Sequence, residues 1–187
     1  MTTPNPSGAP DGHEIRPVSS VKLDALTGCT TRLTFLSEGE ELFNLTINND
    51  EPVALVLFDV DHFKEVQTEF GQDNGNQVLS QLVKKCAKHR RSNDVFARIN
   101  NDTFALLLTN TTEFVAECIA QTIRKDVETQ SFITNDLNMI DITVSAGVAS
   151  SQDETIQTFI TLLNQANSAL YLAKSTGRNQ VKMAIGL

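Results

Sequence analysis

Two aspartates stand where a hard cation could be held. Asp59 closes the apolar stretch PVALVLFDV, and Asp102 follows Asn100-Asn101 in RINNDTFALLL, residues 98–108. A strand end and a hairpin turn each expose carboxylate oxygens, and two such oxygens suit Mg2+. The structural alternative is that each carboxylate caps a helix or a turn. The two asparagines read as a two-residue hairpin turn, because Asn reaches the left-handed region cheaply. His13, His62 and His89 are scattered and form no imidazole metal site. Residues 84–91, KKCAKHRR, hold five of the 15 basic side chains. Such a run either complements a helix C-terminus or captures an anion.

The elements that position these groups follow from composition and periodicity. At 187 residues, 40% hydrophobic and 20% charged, the chain suits one globular domain with a sizeable core. A balance of 15 basic against 23 acidic residues gives −8, a field that repels nucleic acid and anionic membrane. The run Val53–Phe58 is far too short to span a bilayer. MTTPNPSGAPDG lacks the apolar core of a secretory signal. Cys29, Cys86 and Cys118, without CxxC spacing, read as buried thiols of a cytoplasmic protein.

Residues 1–20 carry four of the five prolines and are expected to form a flexible tail, with the domain occupying 21–187. A helix is predicted over 31–47 with Leu33, Leu36 and Phe43 on its buried side. PVALVLFDV follows as a strand buried on both faces. Two helices precede the 95–108 hairpin, and a long helix at about 112–130 follows it. DITVSAGVA alternates and reads as a strand with one solvated face. A last helix, 155–175, buries Ile156, Phe159, Ile160, Leu163, Ala166 and Leu170 and stops at Gly177. QVKMA is a closing strand. The order α-β-α-α-β-β-α-β-α-β implies an α/β domain with a mixed sheet flanked by helices.

Five ordered blocks then carry a resemblance: DALTGCTTR, FDVDHFKEVQTEFGQDNGNQVL, RINNDTF, ITVSAGVA and ALYLAKSTGRNQV. Together they closely resemble a GGDEF domain of the diguanylate cyclase family. The resemblance implies a palm-like fold, with a mostly antiparallel mixed sheet flanked by helices. In active members two domains condense two GTP molecules into cyclic di-GMP with metal-bound carboxylates. By match to the family motifs, Asp59 is the first metal carboxylate and Asp102 the third signature position. Lys174 and Arg178 match the phosphate-binding pair.

The departures fall where the chemistry would be done. Asn100 and Asn101 replace the signature glycines, and their side chains would crowd GTP. Thr103 replaces the signature glutamate. Gln67 and Asn76 stand where the family reads guanine with Asn and Asp. Losing one transition-state charge partner typically costs about 10²–10³ in rate, so the resemblance implies a degenerate, inactive cyclase. No cofactor is expected to be required, with at most weak Mg2+ at Asp59 and Asp102.

RRSND contains Arg91-x-x-Asp94, where the family places its inhibitory RxxD site for cyclic di-GMP. An arginine fork can take guanine N7 and O6 or straddle a phosphate, and a carboxylate can accept from N1 and N2. The plain alternative is a surface ion pair worth under about 1 kcal/mol. Arg90 and Arg124 are further candidates for that site, Arg124 because Thr122 occupies the place where many members add an arginine. The expected function is a cytoplasmic cyclic di-GMP effector in bacterial second-messenger signalling. It would relay through an unidentified protein partner, with a homodimer as a second route to a complete site. A residual cyclase or nucleotide hydrolase using Asp59, Asp102, Lys174 and Arg178 is the enzymatic alternative. A nucleotide-free scaffold is the third.

Overall fold

A computed structural model describes residues 22–184 of the chain. The expected tail, residues 1–20, lies outside the described residues. The elements run β1 (Thr30–Thr31), α1 (Arg32–Asn48), β2 (Val53–Val60), α2 (Phe63–Phe70), α3 (Gln72–Cys86) and a 3-10 turn (Ala87–His89). They continue with β3 (Val95–Arg98), β4 (Thr103–Thr109), α4 (Glu113–Glu128), β5 (Phe132–Ile133), β6 (Met139–Ile140), β7 (Val144–Ser150), α5 (Phe159–Ser175) and β8 (Val181–Met183). The main sheet has the order β1-β3-β4-β2-β7-β8. Its centre is antiparallel and its two outer pairs are parallel. The mixed, helix-flanked α/β architecture is the one expected. Its short β1 strand and the β5–β6 hairpin were not legible as strands.

Strand periodicity divides the core in two. Ala54, Val56, Phe58 and Val60 of β2 face one cluster, with Phe58, Phe96 and Phe104 packed at centroid distances of 5.7–5.9 Å. Val53, Leu55 and Leu57 face the other, against Phe35 and Phe43 of α1 and Leu162 and Ala166 of α5. Helices thus cover both faces, so β2 is buried throughout, as its unbroken apolar run predicts.

Three packing expectations need correction. Strand β7 has no solvated face: all seven residues are buried, because α4 covers one side and α5 the other. Its small residues admit a close helix where alternation suggested solvent. Leu33 is 79% exposed, and Phe35, Gly39, Phe43 and Thr46 form the buried side of α1. In α5, Ile160 is exposed, and the helix starts at Phe159 because extended Thr158 caps it, accepting from the Thr161 amide at 3.1 Å. Its end is as predicted, with Gly177 at φ 125° just beyond the last turn.

Candidate functional site: a neutralised carboxylate and a basic turn

The same period of two that sorts the core puts Asp59 on the α1/α5 face, at the end of the Val53-Leu55-Leu57 row. Thr103 lies directly opposite it in antiparallel register. Helix α5 comes close because β7 has Gly147, where a Cβ would stand 2.2 Å from the Ala166 carbonyl oxygen and the Leu170 nitrogen. Lys174, one turn beyond Leu170, therefore reaches the strand end. Its Nζ lies 2.8 Å from Asp59 Oδ1, and Thr103 Oγ1 donates to Asp59 Oδ2 at 2.8 Å. Asp59 is only 5% exposed.

The hairpin differs from the two-residue turn. Neither Asn100 nor Asn101 has a positive φ. The loop between β3 and β4 holds four residues, Ile99 to Asp102, and the Thr103 carbonyl accepts from the Ile99 amide at 2.8 Å and the Asn100 amide at 3.3 Å. The longer loop removes the need for the left-handed region. Arg98 braces it, donating Nε and Nη2 to the Asn101 carbonyl and Nη1 to Asp24 Oδ1 at 3.1 Å. Burial opposes ionisation of Asp24, but hydrogen bonds from the Thr27 side chain and amide and from Arg98 outweigh it, holding the carboxyl below its ordinary range. Sequence reading missed this brace, although Asp24 and Arg98 both lie inside the quoted blocks.

Asp102 is half-buried, and burial, followed by the charge of Asp59, pushes its carboxyl above the ordinary range. Asp61 is a structural residue. It accepts from Thr143 Oγ1 and Ser145 Oγ at 2.7 Å and from the Asn179 amide at 3.0 Å. Among the described residues no group of three or more His, Cys, Asp or Glu is placed to hold a metal. The donor set does not fit Mg2+: both Asp59 oxygens are taken, one by an ammonium that a cation would have to displace.

The family described as "Diguanylate cyclase, GGDEF domain" matches residues 21–180. The chain belongs to the GGDEF domain family. It is 32% identical to diguanylate cyclase A of Treponema denticola over 151 residues, 81% of this chain and 40% of that protein. It spans only 34–44% of several further curated relatives. Among solved structures it is similar to the coiled coil and GGDEF domain of DgcB from Caulobacter crescentus in complex with c-di-GMP. There the TM-score is 0.81 and the identity 25%, covering 87% of this chain and 85% of that one. It is also similar to diguanylate cyclase SiaD in complex with its activator SiaC from Pseudomonas aeruginosa. The TM-score is 0.79 and the identity 28%, covering 87% of this chain and 61% of that one.

In this GGDEF domain the hairpin tip stands between two clefts. Gln67 and Asn76 are brought together with Asn101 and Arg98 in one of about 390 Å³. Lys174, Arg178, Asn100 and Asp59 share the other, of about 780 Å³. The expected phosphate pair is thus split in role: Arg178 is exposed at the rim, whereas Lys174 is engaged by Asp59.

Arg91 and Asp94 bound a tight turn leading into β3. Asp94 is 5% exposed, and its carboxylate accepts from the Arg91 amide at 2.8 Å and the Thr109 amide at 3.1 Å. The carboxylate thus anchors the turn, and Arg90 and Arg91 beside it are exposed. Lys85 is drawn away to Gln130 and the Phe132 ring, 5.2 Å from its centroid. Arg124 is engaged by Glu128 on its own helix and by Asn179 just before β8. His89 meets Asp126 of α4 at 3.3 Å, but Arg124, two residues or about 200° earlier on that helix, points elsewhere. Its Nη1 donates to Glu128 Oε2 at 2.8 Å and Asn179 Oδ1 at 2.9 Å, away from the Arg91 turn.

Proposed function

We propose that this GGDEF domain is catalytically inactive and receives cyclic di-GMP at the Arg91 turn. The observation that carries the first half is the Asp59 carboxylate, closed by Lys174 and Thr103. A cyclase needs that carboxylate to meet a metal near the phosphates. The crowded tip at Asn100 and Asn101, with Gln67 and Asn76 in the guanine positions, acts in the same direction.

The receptor half rests on the turn itself. Asp94, locked by two backbone amides, holds Arg91 and Arg90 outward on an otherwise acidic chain. A planar guanidinium fork suits guanine N7 and O6 or a phosphate. The DgcB fragment is a relative whose structure contains c-di-GMP. Relay passes by protein contact in the cytoplasm; the similar diguanylate cyclase SiaD is a relative whose structure is a complex with its activator, SiaC. Among the described residues no helix is long and apolar enough to cross a membrane.

Calorimetric titration with cyclic di-GMP beside GTP tests the reading. Low-micromolar binding of cyclic di-GMP, with GTP weaker than roughly 0.1 mM, is expected. Absence of heat with cyclic di-GMP would refute the receptor role, and tight guanine-selective GTP binding would replace it with a GTP sensor.

A further inference from the structure

Helix α3 turns a side to solvent that neither the sheet nor the Arg91 turn uses. At 100° per residue, Asp73, Gln77, Ser80 and Lys84 fall within about 60° of one another. Asp73 and Lys84 are exposed at the two ends of this stripe. Between them a groove of about 250 Å³ runs over Gln77, Ser80 and Gln81, with Leu26 and Asn135 as walls. The walls stand on opposite flanks. Ser80 Oγ donates to the Leu26 carbonyl at 3.3 Å. On the other side Gln81 Nε2 donates to the Ile133 carbonyl and the Asn135 amide donates to Gln77 Oε1, both at 2.8 Å.

Those two bonds tie the β5–β6 hairpin edge-on to α3, so its outer face continues the helix's solvent side. The hairpin obeys a period of two. Phe132 and Ile140, opposite each other, are buried in the core, whereas the opposed pair Ile133 and Met139 is exposed. Leu137 is exposed at the tip with φ 61°, a left-handed conformation that costs a non-glycine residue energy. The helix macrodipole accounts for an aspartate at the start of α3 and a lysine at its end. It does not account for the apolar side chains on both flanks.

A second α3 running antiparallel accounts for both. Asp73 and Lys84 are eleven residues apart, three turns or about 16 Å. A dyad crossing the helix midway sets Asp73 of each copy against Lys84 of the other, and lays hairpin on hairpin and Leu26 turn on Leu26 turn. A twofold interface must be self-complementary, and this charge order is. We infer that the α3–hairpin face docks a second copy of this chain about such a dyad. The face is about 22 Å long and roughly 20 Å wide, so each copy covers about 450 Å². That is small for a specific interface, and the dimer is a weak one. It shares no residue with the Arg91 turn and does not rest on that reading.

Sedimentation velocity of the nucleotide-free chain, over a micromolar to submillimolar series, should show a reversible monomer–dimer equilibrium. Lys84→Asp and Asp73→Lys place like charges across the dyad and should each weaken self-association at least about tenfold. Mixed in equal amounts, the two variants should pair with each other, and both changes in one chain should restore the homodimer. Met139→Asp, at an exposed site, should weaken the dimer while circular dichroism and the melting temperature stay as in wild type. If Asp73→Lys does not fold, Lys84→Asp and Met139→Asp still decide. A chain that stays monomeric throughout would overturn the assignment, as would a dimer that Lys84→Asp leaves intact or folded single variants that do not pair. Arg91→Ala should dimerise like wild type, and its failure to do so would move the contact to the basic turn and overturn the assignment. Cyclic di-GMP binding is titrated separately, so either reading can fail alone.

Discussion

Lys174 and Asp59 are 115 residues apart in the chain, yet Nζ and Oδ1 meet at 2.8 Å, with Thr103 closing on Oδ2. The ammonium supplies the positive charge that a carboxylate at this strand end needs, and the hydroxyl supplies a donor where a second carboxylate would have repelled it. The Asp59 side chain is 8% exposed and that of Lys174 38%, so the pair is only partly screened by water. Lys174→Met should therefore destabilise the fold by about 1–2 kcal/mol, less than a fully buried pair would lose. In a double-mutant cycle, Asp59→Asn should recover part of that loss. Denaturant unfolding measures both. Millimolar Mg2+ should leave the wild-type midpoint unchanged, and a clear rise would show that the carboxylate still takes a metal.

With GTP and Mg2+ or Mn2+, chromatography should detect no cyclic di-GMP above background. Restoring the signature with Asn100→Gly, Asn101→Gly and Thr103→Glu should give little rescue, because Gln67 and Asn76 still impair guanine readout. A robust metal-dependent product from the unaltered chain would return it to the enzymes.

At the basic turn the two motif residues should separate by phenotype. Arg91→Ala, at an exposed site, should weaken cyclic di-GMP by roughly 10- to 150-fold and leave the melting temperature within error. Asp94→Ala strands the amides of Arg91 and Thr109, a change that costs about 1–3 kcal/mol, so its melting temperature should fall. A stable Asp94→Ala protein with a selective loss of guanine preference would instead make Asp94 a direct ligand contact.

Asp102 should titrate against stability. Its folded carboxyl is raised, so the protonated form is favoured in the native state and ionisation weakens the fold as pH climbs through that raised value. Asp102→Asn should therefore raise the melting temperature at neutral pH. The gain should fade in acid, below the ordinary carboxylate range, where wild-type Asp102 is already neutral. A gain that persists unchanged at low pH would assign the effect to something other than charge.

The thiols should divide one against two. All three were read as buried, but Cys118 is exposed on α4, whereas Cys29 and Cys86 are buried. Burial pushes the Cys29 thiol up to about 11, and that of Cys86 higher still. Native alkylation near pH 8 followed by mass spectrometry should label Cys118 alone, with the other two reacting only after unfolding. Rapid labelling of Cys29 would show that the loop before α1 opens.

Local pattern alone specified a good deal of this protein. The alternating rows of β2, the helical spacing of α2 and α3, the stop at Gly177 and the five ordered blocks are all short-range features. Each reflects a period or a turn that the backbone imposes within a few residues. Which charges meet is a different matter, set by strand register and helix rotation over long sequence separations. Nothing near Asp59 announces Lys174, and only the flush seat of α5 on Gly147 brings them together. Likewise Asp94 reads as an available carboxylate until the end of β4 folds back and its Thr109 amide claims an oxygen. Arg124 reads as a spare cation until the phase of α4 turns it toward Asn179. Burial of polar groups depends on what distant segments pack above them, so the tertiary structure alone decided which of the legible residues remain free to bind.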